Sequence, residues 1–172
     1  KVMEKLGVST SLLPGSEIFP ALEKGAIDAT EFSTPSVDTR VGFHKIVKYN
    51  YFPGWHQQAT VFELLINKDT WGKMSKGQKA IVETTCKASM TNAIAEGEAM
   101  QFEVMQKAAD NGVQIRYWNQ TMLDTFKSKW DEVVVEKTAA DPFFKKVWDD
   151  LSTFREGYDL WEANAFLPRA QK

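Results

Sequence analysis

The chain has 172 residues, a hydrophobic content of 43% and a formal net charge of -2 at pH 7. This length is sufficient for a buried core, and the mild acidity argues against a nucleic-acid-binding protein, which typically carries a basic patch. The single cysteine excludes an intrachain disulfide and a cysteine metal cluster. No apolar run approaches the roughly 18 residues that a membrane-spanning helix needs.

The start of the chain predicts a helix end, a turn and a short helix. Residues 2–6 predict the helix end, and Pro14-Gly15 predicts the turn. Ser16 is a suitable N-cap for the short helix, and Gly25 stands where a left-handed C-cap is expected. The spacing i, i+3, i+4 gives this helix one apolar face, formed by Ile18, Ala21 and Leu22.

Segments on either side of this helix predict strands of a parallel sheet. Residues 8–13 are mostly apolar or β-branched, and residues 26–30 predict a second strand that ends at Glu31 and Phe32. The order strand, helix, strand favours a parallel sheet. Ligands bind at the carboxyl edge of open α/β sheets, so Glu31 and Phe32 are candidate site residues.

The middle of the chain predicts a short helix and two strands. Ser36 is suited to cap the helix, and residues 45–52 alternate enough for a strand that Pro53-Gly54 ends. Residues 60–66 predict a strongly apolar strand with Glu63 buried in its middle. A carboxylate in such a run is rarely left unpaired, so Glu63 either reaches a cleft or is anchored by a partner.

A long helix follows. Ser75 and Gln78 form a capping-box pattern, and between them and Ala109 only Gly97 weakens the helical pattern. About 34 helical residues span about 50 Å, whereas a small domain measures about 30 Å. We therefore expect this helix to bridge two bodies or to reach into a partner. Residues 113–117 then predict a short strand.

Two further helices complete the chain. Asn119 is suited to cap the first, and Asp141-Pro142 opens the second with cap and proline in the preferred order. One face of the first helix consists of Leu123, Phe126, Trp130, Val133 and Val134. A single stripe along the second consists of Phe144, Val147, Leu151, Phe154, Tyr158 and Trp161. This much aromatic surface is expected to be covered.

These motifs resemble those of the periplasmic solute-binding proteins of TRAP transporters, in the branch that binds 2-oxo acids and related small carboxylates. Members share a GEI-x-x-ALE-x-G-x-IDA run that is followed by an acidic-aromatic pair. The run stands here as Gly15-Ser16-Glu17-Ile18, Ala21-Leu22-Glu23, Gly25 and Ile27-Asp28-Ala29, followed by Glu31-Phe32. Residues 48–56 and 63–68 also agree with the family in order and spacing.

The resemblance implies an α/β fold that is part of a two-lobed periplasmic-binding-protein fold, with one long bridging helix and C-terminal helices. Residues 1–57 would belong to the second lobe, 58–67 to a hinge strand, and 68–172 to the long helix, the short strand and the C-terminal helices. Family members are about twice this long. We therefore expect the sequence to be the C-terminal half, lacking most of the first lobe, any signal peptide and the arginine that pairs with the ligand carboxylate.

The resemblance also implies a binding site. Glu31 and the backbone of Phe32 match positions at which a metal ion meets the ligand, and Gln57 stands where relatives often have a glutamate, so these three are the expected ligands of a Na⁺ or Ca²⁺ ion. The same three residues and Trp55 are the expected substrate-binding residues. From the residues alone, Glu31 could instead be a solvated loop acid, and Trp55 a core aromatic beside a turn.

The function implied is that of a non-enzymatic periplasmic receptor, which captures a 2-oxo or 2-hydroxy acid for TRAP membrane subunits. Residues 154–166 are the candidate for a C-terminal helix exchanged in a homodimer, although packing against their own chain remains an alternative. A helical interaction module without a small-molecule ligand is a second hypothesis. A hydrolase using His44, His56 or Cys86 is a third, but the sequence contains no hydrolase motif.

Overall fold

The structure is a computed structural model that describes residues 1–55, 57 and 59–167, so that His56 lies outside the described residues. The described elements in chain order are α1 (Val2–Lys5), α2 (Gly15–Glu23), α3 (Pro35–Arg40), a 3₁₀ helix (Phe43–Lys45), β1 (Tyr49–Phe52), α4 (Lys68–Lys73), α5 (Lys76–Gln106), β2 (Gln114–Tyr117), α6 (Gln120–Ala140) and α7 (Pro142–Ala165). They form two compact units. One contains Lys1–Thr10 and the chain from Asn119 onward, and the other contains Ser11–Trp118.

The sheet of the second unit pairs β1 with β2 in parallel, with Tyr49 opposite Gln114 and Phe52 opposite Tyr117. The backbone N–H of Trp118 continues the ladder by donating to the carbonyl oxygen of Phe52 at 2.9 Å. Parallel strands require a long crossover connection, which α4 and α5 provide. The strands predicted at residues 45–52 and 113–117 are therefore confirmed in shortened form.

Three other predicted strands are wrong for the described structure. Residues 8–13, 26–30 and 60–66 form neither strand nor helix, because an isolated extended segment is not stable without a neighbour that satisfies its N–H and C=O groups. The segment 60–66 is also largely exposed, with Leu65 at 85%. Glu63, which was expected to be buried, is exposed.

The helix starts show how proline competes with a polar cap. α2 begins at Gly15 with Pro14 as its N-cap, and α3 begins at Pro35 with Thr34 as its N-cap. Ser16 and Ser36 therefore lie inside their helices, and their prediction as caps is wrong. The fixed φ of Pro35 favours the first helical position, which moves the start of α3 one residue ahead of Ser36.

The end of α2 agrees with the sequence. Gly25 has φ +67°, and its N–H donates to the carbonyl oxygen of Leu22 at 3.1 Å while Ala26 N–H donates to that of Ala21 at 2.8 Å. This is a Schellman motif, which reverses the chain directly after the helix. The predicted left-handed cap at Gly25 is confirmed.

The long helix α5 has the predicted capping box. Ser75 Oγ accepts from Gln78 N–H at 3.2 Å, and the Gln78 side chain accepts from Ser75 N–H at 2.8 Å. The helix has 31 residues and ends at Gln106 rather than at Ala109, and none of its residues is buried. Its role as a bridge, and the division at residues 57 and 67, stay predictions. Among the described helices, none combines the length and the apolarity that crossing a membrane requires.

The other unit is built around α6 and α7. Phe126 of α6 is buried, the other four residues of the predicted face are half-buried, and Trp130 meets Trp148 of α7 edge to face at 5.1 Å between ring centroids. Lys5 attaches α1 by ion pairs with Glu132 at 3.3 Å and Glu136 at 2.6 Å. The predicted apolar face of α6 is therefore confirmed.

The aromatic stripe of α7 is largely exposed within this unit. Phe154 is 65% exposed and Trp161 is 62% exposed, and Tyr158 stacks on Phe154 of the same helix at 5.8 Å between centroids. The stripe therefore lies on one helix, as predicted, but the described residues of its own unit leave much of it exposed.

Removing the cap at Asp141 is expected to destabilise the unit that contains α6 and α7. Asp141 Oδ1 accepts from the N–H groups of Phe143 at 2.9 Å and Phe144 at 3.1 Å, and losing such a cap typically costs about 1 kcal/mol. Asp141→Ala should lower the melting temperature by about 2–4 °C, whereas the control Asp150→Ala on the exposed surface of α7 should change it little. Equal melting temperatures for the wild type and Asp141→Ala in calorimetry would contradict the capping role.

Candidate functional site

The candidate site begins at the connection between α2 and α3, which carries Glu31 and Phe32. The Phe32 ring meets the buried Phe43 edge to face at 5.3 Å between centroids. It also lies so close to Gly15 that a Cβ there would be 3.3 Å from it. The side chain of Phe32 is thus part of the local core, and its backbone carbonyl is the group that can serve a ligand or a cation.

Glu31 is exposed and lies near a second carboxylate that the sequence analysis missed. Its backbone carbonyl accepts from the Thr30 hydroxyl at 3.0 Å. Burial, together with the nearby negative charge of Glu31, raises the pKa of Asp38 to about 6, although a hydrogen bond from Ser33 N–H to Asp38 Oδ1 at 3.2 Å opposes this rise. Burial is the larger cause, and the charge of Glu31 adds to it. Two negative charges in one segment favour a cation nearby. The only feature of the sequence that could have indicated Asp38 is its position in the first turn of a short helix.

The raised pKa of Asp38 predicts a stability that depends on pH. Because the folded-state pKa lies above the ordinary 3.8, Asp38 contributes stability that is fully present below pH 3.8 and is lost as the pH rises through about 6. Asp38→Asn keeps an oxygen for Ser33 N–H and removes the charge. We therefore expect the variant to be more stable than the wild type at pH 7, by about 1 kcal/mol after solvent screening.

Urea denaturation at pH 7 and pH 4 tests this prediction. The advantage of Asp38→Asn should shrink toward pH 4, while Asp28→Asn, an exposed change in the connection between α2 and α3, serves as the control. An advantage of the same size at both pH values, or none at pH 7, would contradict the raised pKa of Asp38.

Trp55 and Gln57 follow β1 at the carboxyl edge of the sheet. There the Tyr51 ring stacks on Trp118, which follows β2, at 4.4 Å between centroids. Trp55 is half-buried, and Gln57 is exposed. The Gln57 Nε2 donates to Thr60 Oγ1 at 3.0 Å. This hydrogen bond involves the amide nitrogen of Gln57, whereas a cation would bind the amide oxygen.

The structure brings Glu31 close to Phe32 and Asp38, but the strand that was expected to deliver Glu31 to a sheet edge is absent from the described residues. Within residues 1–55, 57 and 59–167, no group of three or more histidine, cysteine, aspartate and glutamate side chains could hold a metal ion. A cation here would also need backbone oxygens, the Gln57 amide or oxygens of the ligand. The assignment of Glu31, Phe32, Trp55 and Gln57 to the site stays a prediction.

A groove elsewhere on the surface is not a competing site. It lies along one side of α6 and is open to solvent, and its lining residues are Asp124, Lys127, Ser128, Asp131, Glu132, Val135 and Glu136. Ligand sites are usually concave and formed by several elements, whereas this groove follows a single helix. None of the predicted site residues lines it.

Two parallel strands that are joined by a helical crossover are characteristic of an α/β fold. The model of the family described as bacterial extracellular solute-binding protein, family 7, matches residues 1–141. This chain belongs to that family. The resemblance to the solute-binding proteins of TRAP transporters is confirmed.

Solved structures of similar proteins support the same fold. One is a TRAP transporter solute-binding protein from Bordetella bronchiseptica RB50, described with copurified calcium and picolinate. It is 27% identical to this chain with a TM-score of 0.82, and the match covers 93% of this chain and 48% of that protein's chain. One from Pseudoalteromonas atlantica T6c, with sodium and pyruvate, is 29% identical with a TM-score of 0.80, covering 93% and 49%. One from Colwellia psychrerythraea, with calcium and pyruvate, is 28% identical with a TM-score of 0.79 and the same coverage. The predicted fold class, part of a two-lobed α/β binding protein, is confirmed.

A relative found by its sequence supports the same family. The monocarboxylate 2-oxoacid-binding periplasmic protein of Nostoc sp. (strain PCC 7120) is 27% identical over 161 residues, which make up 94% of this chain and 44% of that protein. The chain spans about half the length of the relatives it matches.

Proposed function

We propose that these residues form about half of a two-lobed periplasmic receptor, which captures a small 2-oxo or 2-hydroxy acid together with a sodium or calcium ion and delivers the acid to TRAP membrane subunits. The two-lobed protein that contains these residues is called the complete receptor below. Family membership supports this function, as do relatives described with pyruvate or picolinate and with sodium or calcium.

The observation that carries the proposal is the negative charge of the Glu31 segment. A carboxylate ligand would be repelled by Glu31 and by ionised Asp38 unless a cation lay between them. Oxygen ligands from carboxylates and carbonyls suit Ca²⁺. Three similar structures are described with calcium or sodium. A cation of this kind would match the negative charge of the segment that carries Glu31 and Asp38.

Each predicted residue has a role in this proposal. The Glu31 carboxylate, the Phe32 carbonyl and the Gln57 amide oxygen bind the cation, which in turn binds the carboxylate of the ligand. Trp55 forms an apolar wall of the cleft. Gln57 supplies an oxygen without a negative charge, so the cation keeps more of its positive charge for the ligand.

The receptor would bind and release its ligand without chemical change, which is the behaviour of a transport protein rather than of an enzyme. Closure of two lobes around the ligand would be a hinge motion. The exposed stripe of α7 supports a homodimer in which residues 154–166 contact a second copy. The family supports the receptor more than it supports a helical interaction module or a hydrolase.

Ligand-dependent stability tests the proposed function. At a ligand concentration one hundred times the dissociation constant, the complete receptor should gain about 2.7 kcal/mol with pyruvate and calcium. The 172-residue chain alone should bind pyruvate weakly or not at all, because half of the cleft and its arginine are expected to lie outside it. A complete receptor that no small carboxylate stabilises, or submicromolar pyruvate binding by the 172 residues in calorimetry, would contradict this account.

A further inference from the structure

The start of α3 is capped by a side chain from another helix. Thr34, at the N-cap, makes no side-chain cap hydrogen bond, and Pro35 has no N–H, so the first N–H of the helix belongs to Ser36. That N–H donates to Oε1 of Gln101, in α5, at 3.0 Å. Gln101 therefore accepts from a backbone N–H that the N-cap side chain of a helix often satisfies.

The Gln101 amide is held at both ends. Its Nε2 donates to Ser36 Oγ at 3.0 Å and to the carbonyl oxygen of Gly97 at 2.7 Å. Ser36 is only 6% exposed. Removing the amide would leave a buried N–H without its partner, which costs more than the loss of an exposed hydrogen bond. The position of Ser36 is thus fixed relative to α5.

Ser36 is also closely linked to the candidate site. It follows Glu31 by five positions, and it lies within the loop that the hydrogen bond from Ser33 N–H to Asp38 Oδ1 closes at 3.2 Å. The Phe32 ring is anchored on Phe43. The segment that carries Glu31 is therefore fixed by ring packing at Phe32 and by the Gln101 amide at Ser36.

We propose that Gln101 is a positioning residue for the cation and carboxylate site, acting through Ser36 on the segment that carries Glu31 and the Phe32 carbonyl. The inference rests on the proposed function of that site. It links the long helix α5 to the site, since a displacement of Gln101 would move the start of α3. A cation site depends on such positioning, because the ligand oxygens must be held within about 0.5 Å of the binding geometry.

Hydrogen exchange of the 172-residue protein tests the positioning without any ligand. In Gln101→Leu, the amides of residues 31–34 and of Ser36 should exchange at least tenfold faster, while those of α6 remain unchanged. Gln101→Glu should restore most of the protection, because its carboxylate can accept from both the N–H and the hydroxyl of Ser36. Gln106→Leu, at an exposed position of the same helix, is the matched control.

Unchanged exchange at residues 31–34 and Ser36 in Gln101→Leu overturns the inference, as does an equal acceleration throughout Ser11–Trp118. Should Gln101→Leu fail to fold, Ser36→Ala replaces it and should give a smaller acceleration confined to the same residues. In that case, too, unchanged exchange overturns the inference.

Binding by the complete receptor gives the second readout. The affinity for pyruvate in calcium should fall at least tenfold in Gln101→Leu and recover in Gln101→Glu. A wild-type receptor that binds pyruvate, with a Gln101→Leu variant that binds equally well, overturns the inference alone. A wild-type receptor that binds no small carboxylate overturns the proposed function, and the exchange result then still decides whether Gln101 positions the segment.

Discussion

Replacing Glu31 with alanine is expected to abolish cation-linked binding in the complete receptor, with a loss of at least about a hundredfold in pyruvate affinity, or about 2.7 kcal/mol. The change removes the charged oxygen ligand of the proposed cation. The carboxylate of pyruvate would then lose the positive charge that attracts it. Titration calorimetry in calcium-containing buffer measures this loss directly.

Two variants separate the role of Glu31 from a general loss of negative charge. Glu31→Gln retains an oxygen and should weaken binding less than Glu31→Ala. Glu17→Ala removes an exposed acidic side chain from the first turn of α2 and should leave the affinity unchanged. If Glu31→Ala binds pyruvate as tightly as the wild type, Glu31 does not belong to the site.

The second large effect is expected at the stripe of α7. Phe154 and Trp161 are both mostly exposed within their unit, and buried aromatic anchors in interfaces often contribute about 2 kcal/mol each. Replacing both with lysine should raise the dissociation constant of the proposed homodimer at least about a hundredfold. Sedimentation velocity of the complete receptor over a range of concentrations measures this change.

A surface change on the same helix provides the control. Glu156 is exposed and lies about half a turn from Phe154 along α7, on the other side of the helix. Glu156→Lys should therefore leave the dimer intact. A monomeric wild-type receptor at high concentration, or a double lysine variant that remains dimeric, would contradict the dimer through residues 154–166.

The helix ends that the sequence predicted correctly depend on local interactions. The capping box at Ser75, the caps at Asn119 and Asp141, and the left-handed Gly25 are each formed within a few residues of the chain. The lengths of α5 and α6 follow from uninterrupted helical patterns between such caps. Local signals of this kind do not need a distant partner to be correct.

The wrong strand predictions concern segments whose structure needs a distant partner. An apolar run such as residues 60–66 has the composition of a buried strand, but composition does not supply the neighbouring strands that would bury it. Burial of Glu63 was inferred from the same run and is wrong for the same reason. Ser36 was assigned to a cap because its residue type favours that position, whereas the adjacent Pro35 decided where the helix begins.

The candidate site was predicted in part, and mainly through the family resemblance. The residue pair Glu31-Phe32 was found from its motif. The neighbouring Asp38 was not found, because only the folded connection brings its carboxylate near Glu31. The contact between Ser36 and Gln101 joins residues 65 positions apart, and no local pattern in a single sequence indicates such a pair.

Titration of pyruvate into the complete receptor, with and without calcium or sodium, tests the central claim most directly. We expect tight binding that requires one of these ions. Binding of equal strength after both ions have been removed, or no binding of pyruvate and related 2-oxo acids in either condition, would contradict a site in which Glu31 holds a cation against the carboxylate of the ligand.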